Sequence, residues 1–325
     1  MAAEVVKLDK LDRKLLLALD LHARDTLTGL AKRIGSSKQA VDYKLKRLER
    51  LGVINGYVAL VNTPALGYFY CRLLVTLEGA TADVVKEITT YCRSDSRVFW
   101  LFEMQGSFDL LVGIWTKSID EFRTFVEQFM SRFGSYVKRR SENIATRVIH
   151  FQNRYITGQV GSEEFNLRQT AAAVVIDDTD KKILRLLSED ARMPLVDLAN
   201  KLGISAVAIA ARIRKLEQKK VVGGYRPNID HSRLGYGYYK IFLNLSVASA
   251  ENLKAVKAYL SQQPLVLYLI EGVGFPADMD FEMVAQSPLE LDDFMRKLRA
   301  AFPGIIADYS ALLFTTTLKV RYLPF

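Results

Sequence analysis

The sequence predicts an α+β chain built as a tandem duplication, in which each half is a helix-turn-helix domain followed by a ferredoxin-like βαββαβ domain. Three observations predict it. The chain matches itself at an offset of 168 residues. The first stretch of about 60 residues in each half shows helical periodicity broken by turn signals. The remainder of each half alternates strand, helix, strand, strand, helix, strand.

The self-match runs without a gap from the first helix to the first strand of the second domain type. Asp12 meets Asp180, Ala23-Arg24 meets Ala191-Arg192, and Leu30-Ala31 meets Leu198-Ala199. Gly35 meets Gly203, Leu48-Glu49 meets Leu216-Glu217, and Leu66-Gly67-Tyr68 meets Leu234-Gly235-Tyr236. A period this long is a duplicated unit holding one or two domains, not a solenoid repeat. It divides the chain into helix-turn-helix domains at 1–60 and 169–228 and βαββαβ domains at 61–157 and 229–325. Residues 158–168 (GQVGSEEFNLR) have no counterpart and read as a solvated linker.

In the first half, Leu11, Leu15 and Leu19 recur at helical spacing, with Asp9 and Asp12 at the helix start to complement the dipole. Thr26 can cap a second helix that buries Leu27, Leu30, Ala31 and Ile34, with Gly35 as its left-handed stop. Ser37 caps a third helix with Val41, Leu45 and Leu48 inward, ending at Gly52. Phe69–Leu77 then reads as a strand, and 81–92 as a helix with Val84, Val85 and Ile88 buried. Val98–Met104 and 108–115 form a hairpin. Ser118 with Glu121 signals a capping box, opening a helix that presents Ile119, Phe122, Phe125 and Phe129 on one side. A last strand covers 136–151. The second half repeats this order over 238–320, with a longer, Pro-containing hairpin at 272–280.

A chain of 325 residues, half apolar and a quarter charged, is an ordinary globular composition, which excludes collagen-like, low-complexity and mostly disordered classes. Its net charge of +9 favours anionic partners. Cys71 and Cys92 cannot form a disulfide framework and read as reduced thiols. The first ten residues lack a signal-peptide core, and the apolar runs fall short of the roughly 18 residues that span a bilayer. The expectation is a cytoplasmic protein without membrane contact.

A helix-turn-helix places its last helix in the major groove of double-stranded DNA. The positions between the buried Val41, Leu45 and Leu48 are then the ones that face bases: Lys38, Gln39, Asp42, Tyr43 and Lys46, following Ser37 and flanked by Arg47. Gln reads adenine bidentately, Lys reaches guanine or phosphate, and Tyr contacts phosphate or a thymine methyl. The same offset in the second half gives Ala206, Val207, Ala210, Ala211 and Arg214, of which Arg214 alone has polar reach. The expectation is base reading mainly by the first unit. The competing reading is that a small apolar face tolerates DNA while Arg212 and Lys215 contact phosphates.

Other signals point elsewhere. The segment 272–277 fits GxGxxA, but Pro276 and a charged strand follow it where a dinucleotide fingerprint needs a helix. Asp278, Asp280 and Glu282 alternate on one strand face, read as a satisfied turn and solvent-facing strand in preference to a cation site. Lys138-Arg139-Arg140 reads as a solvated strand edge. His22, His150 and His231 have no metal-ligand spacing, so no catalytic set, metal or cofactor is expected.

The segments LDKLDRKLLLALD and LAKRIGSSKQAVDYKLKRLERLGVINGY resemble the winged helix-turn-helix of the Lrp/AsnC (feast/famine) transcription regulators. The βαββαβ unit with GSFDLLV at 106–112 is similar to their ligand-sensing (RAM) domain. The resemblance implies a regulator whose sensing domains pair into dimers or larger rings. It also implies an amino acid or related small molecule bound near the hairpin, at Gly106, Ser107 and Asp109 and, in the second half, Gly274. With two copies in one chain, the protein looks like a covalent pseudo-dimer. The same plan also resembles the siroheme decarboxylases, whose sensing-type domain carries catalytic His, whereas this chain has none between Asp95 and Ile149 or after His231. A DNA-architectural protein is the third reading.

Overall fold

The computed structural model describes residues 5–160, 164–170 and 172–325. Residues 161–163 of the expected linker and the first four residues of the expected first domain lie outside them.

Local capping sets the helical frame. Asp9 opens α1 (Lys10–Leu19) with a reciprocal capping box: its carboxylate accepts the Leu11 and Asp12 N–H groups, and the Asp12 carboxylate accepts its own. Thr26 caps α2 (Leu27–Ile34), Gly35 stops it at φ 66°, and Ser37 caps α3 (Lys38–Arg50). A strand β1 (Ile54–Val61) follows. The order returns as α6 (Asp178–Glu189), α7 (Leu195–Leu202), α8 (Ala206–Gln218) and β7 (Val222–Ile229), with Asp177 and Ser205 as caps and Gly203 in the left-handed stop. Leu15, Leu16, Leu30, Val41, Leu48 and their counterparts Ile183, Leu184, Leu198, Ile209 and Leu216 share one continuous core.

The two helical units are tied to each other reciprocally. β1 and β7 pair antiparallel, from Ile54 opposite Ile229 to Val61 opposite Val222. The Ala23 N–H donates to the Tyr225 carbonyl and the Ala191 N–H to the Tyr57 carbonyl, each at 2.8 Å. The Arg24 guanidinium donates to the Ala191 carbonyl, and the Arg192 guanidinium to the Ala23 carbonyl. Each of these contacts made by one unit is returned by the other, the pattern of a two-fold interface.

Each unit is followed by a βαββαβ order. The first comprises β2 (Phe69–Leu77), α4 (Ala82–Ser94), β3 (Val98–Gln105), β4 (Leu110–Thr116), α5 (Ile119–Phe133) and β5 (Val137–Phe151). The second comprises β8 (Gly237–Leu245), α9 (Ala250–Ser261), β9 (Val266–Val273), β10 (Met279–Ala285), α10 (Pro288–Ala301) and β11 (Ile306–Val320). The two long last strands cross between units. β5 pairs with β2 of its own unit over 137–145 and with β9 of the other over 144–150. β11 pairs with β8 over 306–313 and with β3 over 313–320. The ring β2-β4-β3-β11-β8-β10-β9-β5 therefore closes, since β5 returns to β2, and this removes the exposed edges of two separate sheets.

Alternation along each strand sends one set of side chains outward under the helices and the other into the ring. Cys71, Leu73 and Val75 face Phe122, Phe125 and Phe129 of α5. Each such buried Phe contributes about 1.5–3 kcal/mol. Leu74, Phe102, Leu111, Phe242 and Leu312 meet inside the ring, across the two units. Burial raises both thiols, Cys71 to about 11 and Cys92 to about 12.

Several expectations need correction. Ile119 does not join the buried face of α5 but, as the first residue of the helix, is 47% exposed. Val85 is half-buried, and Thr89 takes the core position beside Ile88. Glu121 reaches back to the Lys117 N–H, not to that of the cap residue Ser118. Lys138–Arg140 do form an exposed strand edge: β5 pairs there with β2 on one side only, and its pairing with β9 begins at Ile144. Asp280 and Glu282 do not face solvent; each is 1% exposed inside the ring. The expected linker is not simply solvated. Residues 164–168 form a short strand, β6 (Glu164–Arg168), on β5, with Phe165 buried. No helix among the described residues is long and apolar enough to cross a membrane.

Candidate nucleic-acid interface

The third helix of each unit is fixed from beneath by charge. In the first unit Asp12 is fully buried and accepts from the Arg47 guanidinium at 3.0 Å, while the Lys44 ammonium lies 3.4 Å from it. Lys44 also pairs with Asp9, which holds the Asp9 carboxyl down to about 2 and raises the Lys44 ammonium. In the second unit Arg212 occupies the place of Lys44 and donates to both Asp177 and Asp180 at 2.7 Å. The Asp180 N–H and then Arg212 hold the Asp177 carboxyl below its ordinary value. At the far end of each helix a tyrosine hydroxyl from the strand donates to a glutamate: Tyr57 to Glu49 at 2.6 Å and Tyr225 to Glu217 at 2.7 Å.

This bracing decides which side chains remain outward. Ser37 is the cap of α3, its hydroxyl accepting the Ala40 N–H. Lys38, Gln39, Tyr43 and Lys46 are exposed on one face, Tyr43 by 63%. Asp42 and Lys46 pair along that face at 2.7 Å, a surface contact of a few tenths of a kcal/mol that a phosphate can displace. Arg47 is not on this face; it is half-buried and turned into the Asp12 network. On α8, Val207 is 78% exposed beside Ala211, and Arg214 reaches only its own helix, to the Ala210 carbonyl at 3.4 Å. Arg212, weighed as a phosphate contact, is spent on Asp177 and Asp180. The alternation of the buried Leu45 and Leu48 predicted the outward set. The Arg47 and Arg212 anchors escaped because their partners sit about 35 residues upstream.

The hairpin residues lie at the junction of the two βαββαβ units. Gly106, at φ 143°, packs so closely on β11 that a Cβ there would lie 2.9 Å from the Ala311 carbonyl oxygen. The Ser107 and Ser310 hydroxyls are 2.9 Å apart. Asp109 accepts the Leu77 N–H at 2.7 Å, and Asp278 repeats this on Leu245 at 2.8 Å. Gly274 lies against the Glu142 carbonyl of β5. Among the described residues no group of three or more His, Cys, Asp or Glu is arranged to hold a metal ion.

Two braced helix triads with outward third helices, locked two-fold through a strand pair, define a helix-turn-helix protein of paired-head design. Both helical regions match family models: a winged helix-turn-helix DNA-binding domain over 8–55 and an AsnC-type helix-turn-helix domain over 176–217. The leucine-responsive regulatory protein of Rhizobium meliloti is 37% identical over 125 residues, 38% of this chain and 78% of that protein. The transcriptional regulator LrpA of Pyrococcus horikoshii is 45% identical over 67 residues, 21% of this chain and 48% of that protein. The chain belongs to the Lrp/AsnC family of helix-turn-helix transcription regulators. Over its whole length the fold is similar to that of the siroheme decarboxylase NirDL, with a TM-score of 0.64 at 14% identity, covering 95% of this chain and 93% of that one; this likeness concerns the fold alone.

Proposed function

We infer that the protein is a sequence-specific regulator that binds double-stranded DNA through two unequal heads, a tandem duplication acting as its own dimer. The observation that carries this reading is the difference between α3 and α8 at matched positions. Lys38, Gln39, Tyr43 and Lys46 offer donors, acceptors and an aromatic edge, whereas Ala206, Val207, Ala210 and Ala211 offer methyl groups. With Arg47 and Arg212 committed to buried or capping acids, the first head reads bases and the second adds at most Arg214 and shape. The reciprocal β1–β7 pairing holds the heads at one spacing, so the operator has one strongly read half-site beside a weak one. The proposed division is that of 1–60, 61–157, 169–228 and 229–325.

Modulation by an amino acid or related small molecule belongs to this reading. Gly106, Ser107, Asp109 and Gly274 stand where one βαββαβ unit meets the other, so a bound molecule there would shift the units against each other. The relatives' names favour a regulator over an enzyme.

A footprint on selected DNA tests the asymmetry: one half-site protected at low protein and the second only weakly, with affinity falling steeply as salt rises. Two equally protected half-sites would remove it. No DNA binding at low salt would remove the whole reading.

A further inference from the structure

Inside one end of the strand ring lies a cavity of about 90 Å³. Its walls are aromatic, with Tyr70, Phe99, Trp100 and Trp115 on one side and Tyr268 on the other. Phe165, from the strap strand β6, closes it. The strap is seated by design of its neighbour: a Cβ on Gly223 would lie 1.8 Å from the Phe165 ring, and the matched position in the first half is Asn55. The cavity is not greasy throughout. The Trp115 indole N–H is buried, on a residue only 3% exposed, and has no hydrogen-bond partner. Both ring nitrogens of His150, which also lines the cavity, are buried without one. A buried donor or acceptor left unmet costs about 1–3 kcal/mol, so three such atoms around one void mark a place where something else supplies partners.

We propose that this cavity is a binding site for a compact, uncharged molecule with an apolar body and one hydrogen-bond-accepting end. Size sets the first limit: a cavity of about 150 Å³ accommodates benzene, with its six heavy atoms, so this one, at about 90 Å³, takes a molecule of about four. Charge sets the second. No lysine or arginine lines it, and its one carboxylate, Glu282, already takes the Lys240 ammonium at 2.8 Å and the Tyr238 hydroxyl. An anion or a zwitterionic amino acid would therefore bring a carboxylate beside Glu282 with no cation to meet it. The Trp115 N–H calls for an acceptor, and a neutral His150, kept so by burial and by Arg226, offers one donor and one acceptor. The site is distinct from the hairpin junction, none of whose four residues lines it. As a regulatory site it rests on the DNA-binding reading, but its occupancy does not.

Both tryptophans of the chain line the cavity, so their two indole N–H signals report on it directly. The full chain, labelled with nitrogen-15 at the indoles, is titrated separately with acetamide, acetone, isopropanol and the zwitterion of nearly the same size, glycine. The expected result is a saturable shift of the Trp115 signal with at least one neutral compound and none with glycine. Trp115→Phe, read at Trp100, weakens that binding about tenfold, and Val148→Phe, which fills the void, abolishes it. The proposal is overturned by no saturable shift with any neutral compound, by saturable glycine binding, or by undiminished binding in both variants. DNA binding is measured on the same samples, so loss of that reading shows separately.

Discussion

Arg72 and Asp280 form an ion pair at 2.7 Å across the inside of the strand ring, neither side chain having any exposed surface. Arg72 comes from β2 of the first unit and Asp280 from β10 of the second. Asp280 also takes the Lys240 ammonium at 2.8 Å, and Lys240 takes Glu282. Strand register places Leu111 and Gly113 of the first unit where the second has Asp280 and Glu282. The first unit thus brings one buried cation without an acid, and the second one cation with two acids. Paired with each other they are neutral; two first units or two second units would bury an unbalanced double charge. Burying such charge costs several kcal/mol per ion, so the ring specifies pairing of unlike units.

Arg72→Met leaves Asp280 over-supplied with negative neighbours and is expected to cost about 3–5 kcal/mol. Adding Asp280→Leu leaves the neutral Lys240–Glu282 pair and should recover most of that loss. Urea denaturation of the full chain measures both; additive losses would contradict the pairing.

His231 is buried, and its Nδ1 lies 2.7 Å from the Tyr155 hydroxyl. Burial, aided by Arg226, depresses the imidazole to about 4. The unfolded chain, with an ordinary imidazole near 6.5, binds more protons between those values, so stability rises with pH across that window. It is flat above the window from this group and falls by about 3 kcal/mol from pH 6.5 to 4. His150 is depressed too, by burial and then Arg226, and adds to the slope. In His231→Gln the slope should drop by about one proton, read from denaturation midpoints at several pH values. An unchanged slope would contradict the assignment.

Gly223→Ala drives a methyl group into Phe165 and should lift the strap. Overpacking of this kind costs about 1–3 kcal/mol. Hydrogen exchange at the amides of β6 should accelerate while those of β8 stay protected. If Phe165→Ala is combined with it, the second change should cost little more.

Much of this was readable from sequence because the signals were local. Asp9, Thr26, Ser37 and Gly35 act within four residues of themselves, and the structure uses each as its chemistry suggests. The Phe122–Phe129 stripe needed only helical spacing. What escaped depended on partners far along the chain. Asp280 looks solvent-facing until Arg72, more than two hundred residues earlier, is placed opposite it. Phe165 looks like a stray aromatic in a polar linker until Gly223 makes room for its ring. Its only local hint was a large apolar residue among Gly, Ser and Glu, together with Gly223 replacing the Asn55 of the first half. For the interface, helical phase gave the outward set on α3, while Arg47 was misplaced because Asp12 claims it.

Selection of bound sequences from random DNA, with the purified full chain and its Lys38→Ala/Gln39→Ala variant, tests the central claim most directly. The account predicts one well-defined half-site for the unaltered chain. The variant should lose about 1–3 kcal/mol per missing base contact on that sequence while keeping its affinity for random DNA. Equal losses on selected and random DNA, or a symmetric pair of half-sites untouched by the substitutions, would contradict it.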